Sequence, residues 1–136
     1  MVIENIGSID WNEVYHNPNL SDVAIKQIAA VIANNQDINL EKQFDLLKCS
    51  SKFCWLNFLC ILENMPIEDR VRGIPLLFVL LQDSNWPTYQ KTMELLESFS
   101  WEVIASHADK YLKQALEEDD EMWIYNIEEL KERKRL

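Results

Sequence analysis

The sequence predicts an all-α fold, a HEAT-like α-α stack of about three helix pairs, with an irregular helical bundle as the alternative. Three observations lead there. Only 2 Gly and 4 Pro in 136 residues leave little material for tight hairpins, β-sandwich turns or glycine-rich phosphate loops. Apolar residues recur at helical rather than alternating spacing along most of the chain. Three entries, Ser50-Ser51-Lys52-Phe53, Asp83-Ser84-Asn85-Trp86 and Asp120-Glu121-Met122-Trp123, put a polar cap three residues ahead of an aromatic, at offsets of 33 and 37 residues. Such periods suit stacked helix pairs, none of which buries its apolar face alone.

In chain order, Ile9-Asp10-Trp11 through Asn17-Pro18-Asn19 reads as a short helix or turn and then a loop, because Pro18 breaks the periodicity. Val23, Ile25, Ile28, Ala29, Val31 and Ile32 then mark a helix capped by Ser21 or Asp22 and ended by Asn34-Asn35. Leu40 to Lys48 is expected to put Leu40, Phe44 and Leu47 on one stripe. Phe53 to Met65 follows as an apolar helix capped by Ser50-Ser51 and stopped by Pro66.

Glu68 to Arg72 opens another helix, which Gly73 and Pro75 interrupt, so a kink or a restart with Pro75 in the first turn is expected. Leu76 to Leu81 is apolar on every side and reads as a central helix. Asp83, Ser84 and Asn85 supply caps, Pro87 sits near the first helical position, and Tyr89, Met93, Leu96 and Phe99 line one face. Trp101, Ile104, Ala108, Tyr111, Leu112, Ala115 and Leu116 match the helical template throughout, with Ser100 as cap. A last helix carries Trp123, Ile124, Ile127 and Leu130 and ends in Lys131, Arg133, Lys134 and Arg135, the right sign for a helix C-terminus. One domain over 1–136 is expected, with 1–20 and 131–136 partly irregular.

A net charge of −10 and a pI near 4.6 argue against a nucleic acid partner, since affinity for phosphates rests on cationic side chains. The longest uncharged apolar run, Phe53 to Leu62, is about half of a bilayer span, and Met1 to Trp11 lacks the pattern of a secretory signal, so no membrane role is expected. Cys49, Cys54 and Cys60 form no C-x-x-C pair and suit a reducing cytoplasm, where they read as small core hydrophobes, Cys49 and Cys60 sharing a helical face. With only His16 and His107 to join them, no metal is expected.

Glu13-Val14-Tyr15-His16 is a single E-x-x-H fragment where di-iron bundles need two copies and further glutamates. Ser106 and His107 are helix neighbours whose side chains do not meet, so no nucleophile and base pair follows. No catalytic residue and no cofactor is expected.

Ile74-Pro75-Leu76-Leu77-Phe78-Val79-Leu80-Leu81-Gln82-Asp83-Ser84-Asn85-Trp86-Pro87 resembles the L-L-x-W-L-Q-D-x-N-W-P signature of a small bacterial family, the domain of unknown function five-zero-seven-one. Asp120-Glu121-Met122-Trp123-Ile124-Tyr125 is similar to its later D-x-x-W-x-Y element, so the resemblance covers roughly residues 67 to 127. Leu80 replaces the usual tryptophan and Val79 the usual acid. The resemblance implies a compact helical repeat fold, often of the sort encoded beside toxins. In physical terms Asp83, Asn85, Trp86 and Pro87 make a helix-to-helix corner: a cap, a fixed first turn, and an indole wedged between layers or turned to a partner.

The acidic run Glu117, Glu118, Asp119, Asp120 and Glu121 reads as a solvated turn or as a docking surface for a basic protein, which Glu94, Glu97 and Glu102 on neighbouring helices would extend. Tyr125 lies off the Trp123 stripe and is a candidate exposed anchor. Joined to the resemblance, this leads to an expected function: a cytoplasmic immunity protein that neutralises a cognate toxin, a nuclease being the concrete case, by covering its basic site. A scaffold or adaptor is the alternative, and a structural homo-oligomer a third; oligomeric state stays open.

Overall fold

Side-chain donors that reach the carbonyl ends of helices organise the molecule. The computed structural model describes residues 5–134, and every regular element among them is helical. Residues 1–4 and the last basic position, Arg135, lie outside them. The chain divides into two compact units, Met1–Gly73 and Ile74–Leu136.

In the first unit, α1 (Trp11–His16) starts where the Asp10 carboxylate accepts from the Glu13 N–H, and α2 (Asp22–Ala33) where the Ser21 hydroxyl accepts from the Ala24 N–H. The α2 stripe buries Ile25, Ile28, Ala29, Val31 and Ile32 as expected, but Val23 in its first turn is exposed. The expected Leu40–Lys48 helix stops after α3 (Leu40–Gln43). There the Asp45 carboxylate accepts from the Leu47 N–H at 3.0 Å and starts a separate 3-10 turn, leaving Leu47 95% exposed. Cys49 thus lies outside any helix and shares no helical face with Cys60.

A 3-10 turn (Lys52–Cys54) precedes α4 (Trp55–Glu63), and Ser51 gives it no side-chain cap. Aromatic rings fill the space between these elements: Phe44 stacks on Phe58 at 4.6 Å, Tyr15 meets Phe58 edge-on at 6.1 Å, and Trp11 stacks on Tyr15.

The ends of α1 to α4 each meet a side-chain donor. Buried Asn57 donates to the carbonyls of Val14 (2.9 Å) and Asn17 (2.8 Å), at the end of α1. Tyr15 donates to Gln43 O at 2.6 Å, at the end of α3. Arg72 reaches the end of α2, bonding the carbonyls of Ile32, Asn35 and Ile38 at 2.9, 2.9 and 3.1 Å. Arg70 does the same for α4 through Leu62, Glu63 and Met65 at 2.9, 2.8 and 3.1 Å. Both arginines sit in the segment made by α5 (Ile67–Arg70) and a 3-10 turn (Val71–Gly73). A Cβ at Gly73 would lie 2.6 Å from the Leu62 methyls, so a larger residue there must displace the buried Leu62 side chain.

In the second unit α6 (Ile74–Val79) restarts with Pro75 in its first turn, as expected, and Leu80 and Leu81 stay buried in the turn that follows. The corner forms, with a different division of labour. The Asp83 carboxylate accepts from the Asn85 N–H at 2.8 Å, closing a local turn, so it caps no helix. The chain turns once more before α7 (Tyr89–Glu97), which begins two residues after Pro87. Then come α8 (Trp101–Glu117) and α9 (Glu121–Lys134), so of the stretch 131–136, expected to be partly irregular, residues 131–134 close the last helix.

On α8 the stripe Ile104, Ala108, Tyr111 and Ala115 is buried, whereas Leu116 is exposed. Phe78 stacks on Tyr111 at 5.4 Å, joining α6 to α8. Trp123, fully buried, donates from Nε1 to Phe78 O at 2.9 Å, and Asn126 from Nδ2 to Leu81 O at 2.7 Å, closing the end of α6. Lys134 donates to Glu97 O at 2.9 Å and closes the end of α7. Tyr89 meets Asn126 at one end of α7 and Glu97 meets Arg133 at the other, so α7 runs parallel to α9.

The cap-and-aromatic entries are not equivalent positions: Phe53 is 61% exposed, Trp86 half-buried and Trp123 fully buried. The first is a 3-10 entry without a cap bond, the second a turn, and the third a capped helix start.

Replacing Arg72 with alanine is expected to cost about 3 kcal/mol in urea unfolding, because three carbonyls lose one charged donor. Arg72→Lys should recover less than half, since an ammonium lacks the fork that spans them. The Thr88 and Thr92 hydroxyls are buried without a hydrogen-bond partner among the described residues. Thr92→Val is therefore expected to raise stability by about 1 kcal/mol in the same assay.

Candidate functional site

The acidic run joins α8 to α9. The Asp119 N–H bonds Leu116 O at 3.2 Å and the Asp120 N–H bonds Ala115 O at 3.0 Å, the paired closure of a helix C-terminus that needs a left-handed residue between. Asp119 takes that place, with φ 53°. The Asp120 carboxylate then accepts from the Trp123 N–H at 3.1 Å and starts α9. Asp119 and Asp120 thus build the turn, while Glu117, Glu118 and Glu121 are exposed, Glu118 accepting from Gln114 at 2.9 Å.

Glu94, Glu97 and Glu102 do not extend this patch. Glu102 is in the first turn of α8 and the run at its last, about 22 Å away at 1.5 Å per residue. Glu97 lies beside Arg133 (3.3 Å), at the end of α9 opposite Glu121, about 18 Å away along that helix, and Glu94 is one turn before it. The pairing with Arg133 also offsets the charge of Glu97. Helix direction, which residue spacing does not carry, separates these acids.

What adjoins the run is a shallow groove of about 600 Å³ along the outer face of α9. Its floor and walls are Glu121, Met122, Tyr125, Asn126 and Glu129 of α9, with Tyr89 of α7 and Ser84 of the corner. Tyr125 is 67% exposed, as its off-stripe position suggested, and Met122 41%. The Tyr89 hydroxyl shares its one proton between Asn126 Oδ1 (3.3 Å) and Glu129 Oε2 (3.5 Å). Burial, and after it the Glu129 carboxylate, push this phenol above its usual range, so it stays protonated and donating. Glu129 also accepts from Arg133 at 3.1 Å.

Of the corner residues, Ser84 enters the groove, with its hydroxyl 3.7 Å from Met122 Sδ; Asn85 and Pro87 are exposed. Sequence reasoning missed Glu129, although the spacing of Glu121, Tyr125, Glu129 and Arg133 at every fourth position is the signal that puts it on this face. It missed Tyr89 as well, because its periodicity assigns it to the face of Met93 and Leu96.

The remaining reactive groups are held in structural contacts. His107 stacks on Phe78 at 6.4 Å. His16 Nδ1 and the Ser50 hydroxyl hydrogen-bond across 34 residues, a pair no spacing rule reveals, but both side chains are exposed. Burial pushes the Cys49 thiol up to about 11, so it stays protonated and a poor nucleophile at neutral pH. Among the described residues no group of His, Cys, Asp or Glu could hold a metal ion, and no helix is long and apolar enough to cross a membrane.

These features define an all-α protein of mostly short, side-chain-capped helices with an acidic, tyrosine-bearing face on its last helix. The family model described as Domain of unknown function (DUF5071) matches residues 56–134, more than half of the chain, and the chain belongs to that family. No curated protein and no solved structure matches it.

Because Asp119 occupies a left-handed position that favours glycine, Asp119→Gly is expected to raise stability by about 1 kcal/mol in thermal or urea unfolding. Asp119→Asn separates charge from backbone and should give a smaller gain; a loss with glycine would contradict the assigned turn.

Proposed function

We propose that this chain is a non-catalytic inhibitor, a bacterial immunity protein that neutralises a cognate toxin by laying the α8–α9 turn and the outer face of α9 over a basic site. The observation that carries this reading is Tyr125: a large aromatic, 67% exposed, flanked along one helix by Glu121, Glu128 and Glu129. Aromatics are enriched among the anchors that dominate binding energy, and surrounding like charges steer a partner of opposite sign. The overall charge of −10 adds a long-range field of that sign. A nuclease is the fitting toxin, because its cleft must be cationic to hold phosphates. Occlusion requires no reactive side chain. Three cysteines suit its place in a reducing cytoplasm.

The test pairs this chain with the product of the gene immediately upstream. Nanomolar binding, weakened by salt, and loss of that product's toxicity on co-expression are the expected results. Glu117→Lys, Glu118→Lys and Glu121→Lys combined should weaken binding by about 100-fold, mainly through association rate, with helix content unchanged. Weak binding to several unrelated proteins instead would mark an adaptor, and unchanged affinity in the triple variant would remove this face from the interface.

A further inference from the structure

The outer face of α9 repeats one geometry with two outcomes. Glu129 and Arg133 are four residues apart, and their carboxylate and guanidinium pair at 3.1 Å. Two ladder steps earlier, Glu121 has Tyr125 four residues on, where Glu129 has its arginine. Glu121 is exposed and makes no ion pair among the described residues. The groove beside it holds what an incoming cation with an aliphatic stem requires: the open ring of Tyr125, the partly exposed thioether of Met122, and the Glu121 carboxylate. The far end is already satisfied, since Glu129 is shared between Arg133 and the Tyr89 hydroxyl.

We infer that this groove is an arginine subsite: it receives the guanidinium of one arginine from the partner protein, stacked on Tyr125 and countered by Glu121, with the side-chain stem along Met122. The inference deepens the reading above and rests on it in taking the partner to be a protein. Arginine fits better than lysine because a planar, weakly hydrated guanidinium stacks on an aromatic face while donating in a fork to a carboxylate, whereas an ammonium keeps its water.

The test needs no toxin. The full chain, labelled at its methionine methyls, is titrated with n-butylguanidinium chloride and followed by NMR. Met122 reports on the groove, and Met65 and Met93, buried at 2% and 1% exposure, are internal references. The expected result is a saturable Met122 shift in the millimolar range, about threefold weaker with n-butylammonium and absent with n-butanol or equal sodium chloride. Glu121→Gln and Tyr125→Ala, both surface changes, should each weaken it by about fivefold, leaving Met65 and Met93 unmoved. A Met122 response equal with n-butanol, equal with n-butylammonium, or indifferent to Glu121→Gln would overturn the assignment. Guanidinium binding without any capture of the upstream product would uphold the subsite and remove the immunity reading; toxin capture without guanidinium binding would do the reverse.

Discussion

Helices shorter than about four turns leave a large share of their carbonyls without an internal partner, and this chain closes those ends with side chains from elsewhere in the sequence. Glycine usually solves the problem by turning left-handed after the last helical residue, but the chain has 2 Gly and neither has positive φ. Arg72 closes α2, Arg70 closes α4, Trp123 and Asn126 close α6, and Lys134 closes α7. Where the donor comes from another helix, the bond also fixes how the two pack, so the caps serve as tertiary anchors. Among the described residues, the left-handed closure falls to Asp119, in the acidic turn.

That constraint explains why α9 presents the face it does. Trp123 and Asn126 are drawn inward to the carbonyls of Phe78 and Leu81. With 3.6 residues per turn, fixing those positions inward sends Tyr125 and Glu121 outward. The D-x-x-W-x-Y element thus separates into a cap at Asp120, an anchor at Trp123 and an exposed Tyr125. The same inward anchors that stabilise the second unit set its outer chemistry.

Legibility followed the range of the forces. Long amphipathic segments such as α2 and α8 were readable because local periodicity and burial agree, and so was the restart at Pro75. The Leu40–Lys48 segment was not, because the Asp45 side chain competes for the backbone and wins over apolar spacing. The repeat of polar caps and aromatics misled in a similar way: Phe53 and Trp123 share a spacing but opposite environments. At the candidate site, the acidic turn and the exposure of Tyr125 followed from sequence. The separation of Glu94, Glu97 and Glu102 from that turn, and the contribution of Tyr89, depend on helix direction and on Arg133, which only the fold supplies.

In the second unit, caps from distant residues hold the outer face of α9 in place, which is what the proposed occlusion requires. Amide hydrogen exchange on the chain, with and without the upstream gene's product, tests most directly whether the α9 face is the working surface. Slowed exchange concentrated in residues 117–129 is the predicted outcome. Slowed exchange confined to residues 11–70, with 117–129 unchanged, would contradict it.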